Sequence, residues 1–252
     1  MSLSTILEAL DSEDIVPYFQ PIIDLETGVV IGCEALARWI GPDRECIMPR
    51  DFIPLVEAED LNGRLFQSLL RQTARDLGQE IAARQPFYVS FNITLHELDR
   101  PDFHASLLDL VARHGLKPDR LCLEISERED VSCRSNAVKT VEHLFLSGFR
   151  IAIDDAGPGQ NGFRSIRLLR ATDLKIDRSV TSRIADDWLA RSMVDVLVSI
   201  ARWRGMKVTA EGVEHKVQLE ALRAARVDSV QGYHHSEPVP AGRFRTMLDA
   251  AS

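Results

Sequence analysis

Two adjacent carboxylates at the end of a predicted strand are the first feature of this sequence that indicates chemistry. The apolar run that begins at Ile151 ends in Asp154 and Asp155, and a loop with three glycines and a proline follows over 157–162. Side-by-side carboxylates repel each other, so a fold that keeps both usually neutralises them with a cation. The sequence therefore predicts a bound cation at this strand end, with further ligands supplied by other elements.

Other predicted strands also end in polar residues. These residues are Asn92, Glu124, Lys175, Glu211 and Gln231, and the second strand adds Glu34 and Arg38 on one face. A lone acid after a strand is usually a helix cap or a solvated loop residue. Glu124 and Lys175, however, are flanked by apolar residues, where an unpaired charge would be costly. If the strands form a barrel, its mouth collects five carboxylates, which are better explained as a binding site than as caps. These are Glu34, Glu124, Asp154, Asp155 and Glu211.

The absence of histidine from these positions restricts the kind of cation. An all-oxygen cluster favours Mg²⁺ or Mn²⁺ over zinc, which prefers histidine or cysteine ligands. More than four carboxylates can hold two such ions, the usual arrangement for hydrolysis of a phosphodiester. Arg38 is then suited to binding a phosphate oxygen. Lys175 would orient or deprotonate the attacking water, with either a pKa lowered by burial or a charge balanced by the acids.

Alternating strands and helices must position these residues. The predicted strands are Ile15–Ile23, Val29–Trp39, Phe87–Asn92, Leu121–Ser126, Phe149–Asp154, Thr172–Ile176, Met206–Ala210 and Val227–Val230. The predicted helices are Ser2–Leu10, Pro49–Glu59, Leu61–Arg84, Phe103–His114, Asn136–Ser147, Gly162–Leu169, Asp187–Trp203, His215–Ala225 and Ala241–Ala250.

Eight strands in this order favour a fold of the α/β class, a TIM-like (β/α)8 barrel. The first strand is expected to be antiparallel because it opens a hairpin. A doubly wound open sheet is the alternative. No linker, repeat or low-complexity tract divides the chain, so residues 1–252 are expected to form a single domain, with a lead-in helix within 1–14.

Composition restricts the class of partner. The 252 residues carry a formal net charge of −8, which argues against duplex nucleic acid because that ligand needs clustered Lys and Arg. The four cysteines, without a CxxC pair, are expected to be reduced thiols: Cys33, Cys46, Cys122 and Cys133. No apolar run approaches the ~18 residues of a membrane span. We therefore expect no membrane contact from this segment and a cytoplasmic location, alone or as part of a larger protein.

A series of short motifs resembles one known family. The motifs are YFQPI (Tyr18–Ile22), EALAR (Glu34–Arg38), FNIT (Phe91–Thr94), LEISE (Leu123–Glu127), IDD (Ile153–Asp155), LKIDRS (Leu174–Ser179), AEGVE (Ala210–Glu214) and QGY (Gln231–Tyr233). From about Val16 to Pro240, the chain resembles the bacterial EAL-domain cyclic di-GMP phosphodiesterases. A lone EAL tripeptide carries no information, whereas eight motifs in the right order are highly specific.

The resemblance implies two Mg²⁺ or Mn²⁺ ions per site. The ligands of one ion would be Glu34, Asn92, Glu124 and Asp154, and those of the second Asp155 and Glu211, with Asp154 bridging. Lys175 matches the lysine that holds or activates the attacking water, so that Lys175, Glu34 and Glu211 would be the catalytic residues. The implied reaction cleaves one phosphodiester of cyclic di-GMP and gives the linear dinucleotide pGpG.

The same resemblance assigns residues around the substrate. Gln20, Arg38, Asp177, Glu214 and Gln231 match positions that line the substrate or lie behind the ligands, and Glu127 matches a residue that supports the loop after the paired aspartates. Members of the family are generally homodimers. They usually carry an additional sensory, GGDEF or receiver domain.

The loop Ala156–Phe163 departs from the family pattern. Where the family typically continues FGTGYSSL, this chain reads AGPGQNGF. A cyclic di-GMP receptor with little or no catalysis is therefore an alternative, and a protein-interaction scaffold is a weaker one. His234 and His235 also depart from the pattern, and we expect them to be an exposed loop pair rather than ligands.

Overall fold

A closed eight-stranded barrel surrounded by helices forms the frame of the molecule. The structure is a computed structural model that describes residues 2–127, 130–131, 134–157 and 162–250. Its strands are β1 Ile15–Asp24, β2 Val30–Ile40, β3 Cys46–Ile47, β4 Tyr88–Asn92, β5 Leu121–Ser126, β6 Arg150–Ala156, β7 Asp173–Ile176, β8 Lys207–Ala210, β9 Ser229–Val230 and β10 Val239–Pro240.

Helices cover the outside of this barrel. They are α1 Leu3–Asp11, α2 Pro49–Ala58, α3 Asn62–Ala83, α4 Leu95–Leu98, α5 Phe103–Arg113, α6 Ser135–Leu146, α7 Gly162–Leu168, α8 Arg178–Thr181, α9 Trp188–Arg204, α10 Lys216–Ala224 and α11 Ala241–Ala250, with a 3₁₀ turn at Pro118–Arg120. Among the described residues, none of these helices combines the length and apolar character needed to cross a membrane.

Strand pairing confirms the predicted TIM-like barrel. The strands β2, β4, β5, β6, β7, β8 and β9 are parallel neighbours in that order. The strand β1 closes the barrel by pairing antiparallel with both β2 and β9. It runs against the others because it forms a hairpin with β2, as predicted. The closed circuit rules out the doubly wound open sheet.

The sequence prediction differs from the structure mainly at short elements. The two-residue strands β3 and β10 are not predicted by the sequence; β3 pairs with the end of β2, and β10 pairs with Tyr18 and Phe19 of β1. Two single-turn helices, α4 and α8, begin at side-chain caps from Thr94 and Asp177. Cys33, Cys46 and Cys122 are free thiols, as expected, whereas Cys133 lies outside the described residues. The single-domain organisation stays a prediction.

An aromatic cluster between the barrel and α11 anchors the last helix. Phe244 of α11 is fully buried, and its ring centroid lies 5.8 Å from that of Phe19 on β1 and 6.4 Å from that of Phe87. The barrel seam at β1 is thereby covered by α11. This packing explains why β1, at the closure of the barrel, has no solvent-exposed outer face near Phe19.

We expect Phe244→Ala to lower the free energy of unfolding by about 3–5 kcal/mol, because the substitution removes a buried aromatic ring and leaves a cavity. Urea unfolding followed by circular dichroism measures this change. Trp203→Ala serves as the control, since that ring is 83% exposed and its loss should cost less than about 0.5 kcal/mol. Equal effects of the two substitutions would contradict the prediction.

Candidate metal centre and active site

A buried lysine lies at the centre of the acidic ring. Lys175 Nζ is 2.6 Å from Glu211 Oε1, 2.7 Å from Glu124 Oε2, and 3.4 Å from both Glu34 Oε2 and Asp154 Oδ1. The lysine side chain is only 3% exposed. Four carboxylates, on β2, β5 and β6 and directly after β8, thus converge on one ammonium group.

The parallel register of the barrel brings these residues to one end. Glu124 on β5 lies opposite Asn92 on β4, and Glu211 follows β8 directly. Below them the interior is lined by small residues, with Thr209 and Ser229 joined through their hydroxyls at 2.7 Å. The acidic ring thus lies at the carboxyl end of the barrel, where barrel active sites form, whereas Tyr88, Arg150 and Asp173 fill the amino end.

Glu34 is held by amides as well as by the lysine. Asn92 Nδ2 donates to Glu34 Oε1 at 2.9 Å, and Gln231 Nε2 donates to Glu34 Oε2 at 2.6 Å. The same Gln231 nitrogen donates to Gln20 Oε1 at 2.9 Å. The strand pairing places Gln20 directly opposite Glu34. Gln20 and Gln231 thus support the metal-ligand candidate Glu34 from behind.

The crowded charges shift the pKa values of the ring. Burial raises the pKa of Glu211 to about 8 despite the attraction of Lys175. Burial, followed by the charge of Glu34, raises the pKa of Glu124 well above its usual value. The pKa of Glu34 itself is lowered, because Lys175 and the amide hydrogen bonds outweigh its burial.

The charge state of Lys175 decides between the two possibilities that the sequence left open. Burial disfavours its charged form, but the surrounding carboxylates outweigh burial and hold the pKa of Lys175 well above its ordinary value. This direction favours the second possibility, an ammonium group whose charge is balanced by the acids.

The two adjacent aspartates reach one site through a bulge. The register of β6 against β7 shifts between Ile153 and Ala156, and Asp155 has a φ of +61°. Consecutive side chains of a regular strand point to opposite faces, whereas a bulge redirects one of them. Asp154, Asp155 and Glu211 each place an oxygen within 4.8 Å of the others. We call these three residues the acidic triad.

The donor set fits hard divalent cations. The acidic triad offers carboxylate oxygens, which Mg²⁺ and Mn²⁺ prefer. Burial and the neighbouring carboxylates raise the pKa values of Glu124 and Glu211, and a bound cation would favour their ionised forms. The buried Gln231 Oε1 accepts no hydrogen bond within the described part of the chain. The donor set of the acidic triad therefore fits a divalent cation.

The remaining predicted residues lie around the mouth with different partners. Arg38 is buried, and its guanidinium carbon lies 5.8 Å from the centre of the Tyr18 ring. Asp177 caps α8 by accepting a hydrogen bond from Ser179 N at 2.8 Å. The backbone N of Glu127 donates to Asp154 O at 2.9 Å, which places Glu127 beside the paired aspartates.

Glu214 does not join the acidic ring. Its carboxylate accepts a hydrogen bond from Arg178 Nη2 at 2.6 Å. Sequence reasoning missed Arg178, although the LKIDRS motif contains it. The sequence carries no local signal for this role, because Gly212 and the Arg178 side chain come into contact only in the folded structure.

Two further expectations concern loops. His234 and His235 are exposed, with ring centroids 5.0 Å apart, as expected for a loop pair. The predicted support of the loop Ala156–Phe163 by Glu127 involves residues 158–161, which lie outside the described residues. That role stays a prediction.

A TIM-like barrel with an acidic centre at its carboxyl end is the class of protein defined by these observations. The EAL domain family profile matches residues 4–238. The chain therefore belongs to the EAL domain family, as the sequence motifs predicted.

Relatives with assigned names are similar along most of this chain. The probable cyclic di-GMP phosphodiesterase PdeG of Escherichia coli K12 is 34% identical over 233 residues, covering 92% of this chain and 46% of the relative. The cyclic di-GMP phosphodiesterase PdeL of the same organism is 32% identical over 238 residues, covering 94% and 66%. This chain thus spans about half to two thirds of the length of these relatives.

Solved structures share the fold. The PaMucR phosphodiesterase in its c-di-GMP complex has a TM-score of 0.87 and 29% identity, with coverage of 96% of this chain and 98% of that one. An EAL domain protein from Listeria monocytogenes EGD-e has a TM-score of 0.87 and 27% identity, with coverage of 99% and 98%.

Proposed function

We propose that this chain is a metal-dependent phosphodiesterase that hydrolyses cyclic di-GMP to the linear dinucleotide pGpG. The observation that carries the proposal is the contact of Lys175 Nζ with four carboxylates at the barrel mouth, at 2.6–3.4 Å. The names of PdeG and PdeL and the ligand of PaMucR support the choice of substrate.

We assign the ligands of two Mg²⁺ or Mn²⁺ ions as the family resemblance implies. One ion would be held by Glu34, Asn92, Glu124 and Asp154, and the second by Asp154, Asp155 and Glu211. Divalent cations at such a site supply Lewis acidity to the phosphate and lower the pKa of water. The acidic triad, with its oxygens within 4.8 Å of one another, supports the second group of ligands.

The protein's own residues would orient the reactants. Lys175, as an ammonium group, would hold the attacking water by donating a hydrogen bond, and its charge would stabilise the negative charge that develops on the phosphate. Arg38, at the mouth end of β2, would bind a phosphate oxygen through its guanidinium. Gln20 and Gln231 would keep Glu34 in place. Asp177 and Glu214 remain candidates for the outer part of the site.

We expect the purified chain with Mg²⁺ or Mn²⁺ to convert cyclic di-GMP to pGpG, and Glu34→Ala to reduce the rate by more than about 100-fold. The loss of a residue behind a metal ligand alone costs about 10–100-fold, and Glu34 would be a ligand itself. Chromatography of the products measures the rate. Glu220→Ala, an exposed glutamate on α10, should keep the wild-type rate.

The same experiment separates the alternatives. Calorimetric binding of cyclic di-GMP without product would favour a receptor, in which the divergent loop Ala156–Phe163 prevents turnover. Neither binding nor product would favour a scaffold. The homodimer and the cytoplasmic location stay predictions.

A further inference from the structure

An arginine holds the loop after β8 against the residues after β7. Gly212 has a φ of +63°, a conformation that favours glycine. A Cβ added there would overlap the Cβ, Cγ and Cδ atoms of Arg178. The Arg178 side chain therefore lies directly on Gly212, and its Nη2 then donates to Glu214 Oε1 at 2.6 Å. We call this arrangement the Arg178–Glu214 clasp.

The segment that carries Arg178 lies between the two parts of the acidic triad. Glu211 is on one side of it, and Asp154 and Asp155 are on the other. Glu211, which precedes Gly212, donates its backbone N to Ile176 O at 3.0 Å. Asp177 donates its backbone N to Ala156 O at 3.0 Å, and Ala156 directly follows Asp155. The segment 176–178 is thus hydrogen-bonded next to ligand candidates on both sides.

Other contacts tie the same loop elsewhere. Val213 N donates to Gln231 O at 3.1 Å, and Glu214 N donates to Gln218 Oε1 at 2.8 Å. These bonds connect the loop to the end of β9 and to α10. The clasp, in contrast, connects it to the segment that also holds Ala156, so it bears on the spacing between Glu211 and the paired aspartates.

We infer that Arg178 is a positioning residue that sets the distance of Glu211 from Asp154 and Asp155, and thereby the affinity of the acidic triad for a divalent cation. Arg178 would act through the loop that carries Glu211, because its guanidinium pairs with Glu214. The inference rests on the proposed function only in taking the acidic triad as a cation site. The side chains of Arg178 and Glu214 are 63% and 33% exposed, so their ion pair adds little to global stability.

The test measures Mn²⁺ binding without substrate, by calorimetry, for the wild type, Arg178→Ala, Arg178→Lys and Glu214→Gln. We expect Arg178→Ala and Glu214→Gln to weaken binding at the acidic triad by about 10-fold, the lower end of the range for residues behind a ligand. Arg178→Lys keeps the charge and the aliphatic stem over Gly212 and should restore part of the affinity. In turnover assays, Arg178→Ala should be slow at limiting Mn²⁺ and recover at saturating Mn²⁺, with an unchanged KM for cyclic di-GMP.

Arg183→Ala is the matched control, because Arg183 follows α8 and pairs with Asp187 instead of with the loop after β8. It should bind Mn²⁺ like the wild type. Wild-type affinity in Arg178→Ala and Glu214→Gln would overturn the inference while leaving the proposed function intact. A raised KM at saturating Mn²⁺ would also overturn it, since Arg178 would then act on the substrate. Absence of Mn²⁺ binding in the wild type would refute both the proposed metal site and this inference.

If the wild type binds Mn²⁺ but does not turn over cyclic di-GMP, the phosphodiesterase proposal fails and the binding comparison still decides the role of Arg178. A folding defect in Arg178→Ala would be detected by circular dichroism. In that case Glu214→Gln, which removes only the negative charge of the clasp, provides the decisive measurement.

Discussion

Replacement of Lys175 by methionine is expected to reduce hydrolysis of cyclic di-GMP by about 10²–10³-fold, the range for loss of one positioned hydrogen-bond donor that stabilises charge in the transition state. Methionine has a similar length and no charge, so it can occupy the space that the lysine side chain fills. The ammonium group that contacts Glu124 and Glu211 at 2.7 and 2.6 Å would be lost. Turnover at saturating Mn²⁺ measures the effect.

The same substitution should destabilise the protein in the absence of metal. Removing one partner of a buried ion pair costs about 3–5 kcal/mol, because the remaining charges are left uncompensated. Urea unfolding in EDTA should show this loss, and Mn²⁺ should restore part of it by supplying positive charge. Recovery of stability without recovery of activity would separate the structural from the chemical role of the lysine.

Lys207→Met is the matched control for this experiment. Lys207 lies at the opposite end of the barrel, on the adjacent strand β8, and pairs with Asp228 at 2.7 Å with 68% of its side chain exposed. Its loss should leave turnover unchanged. Wild-type activity in Lys175→Met would refute the assigned role of Lys175.

Asp155→Asn is expected to change activity and stability in opposite directions. The substitution removes a proposed metal ligand, so the rate at limiting Mn²⁺ should fall by at least about 100-fold. In EDTA, however, the variant should be more stable by on the order of 1 kcal/mol, because asparagine tolerates the φ of +61° better and relieves the repulsion from Asp154. Activity assays and urea unfolding, run on the same preparation, measure the two effects.

Asp60→Asn controls for the backbone effect, since Asp60 has a similar φ of +53° but lies between α2 and α3. It should not change Mn²⁺ binding. A stability loss in Asp155→Asn in EDTA would show that Asp155 stabilises the metal-free fold, contrary to the expected repulsion.

Local patterns in the sequence determined most of the architecture. Periodicity placed all eight barrel strands, and the hairpin before Val30 predicted the antiparallel β1, because a short turn can only reverse the chain. Apolar flanks around Glu124 and Lys175 identified them as buried charges that need partners. The type and order of these residues also predicted metal-assisted hydrolysis as a class.

Only the tertiary structure decided which groups meet, because contacts depend on register and on loop packing that no local pattern contains. The bulge at Asp155 turns two neighbouring carboxylates to one site, whereas regular alternation would have separated them. The AEGVE motif groups Glu214 with the site, but its carboxylate binds Arg178 instead. The Arg178 side chain reaches it by packing against Gly212. The charge of Lys175 likewise depends on four acids from distant parts of the chain, whose combined field outweighs burial.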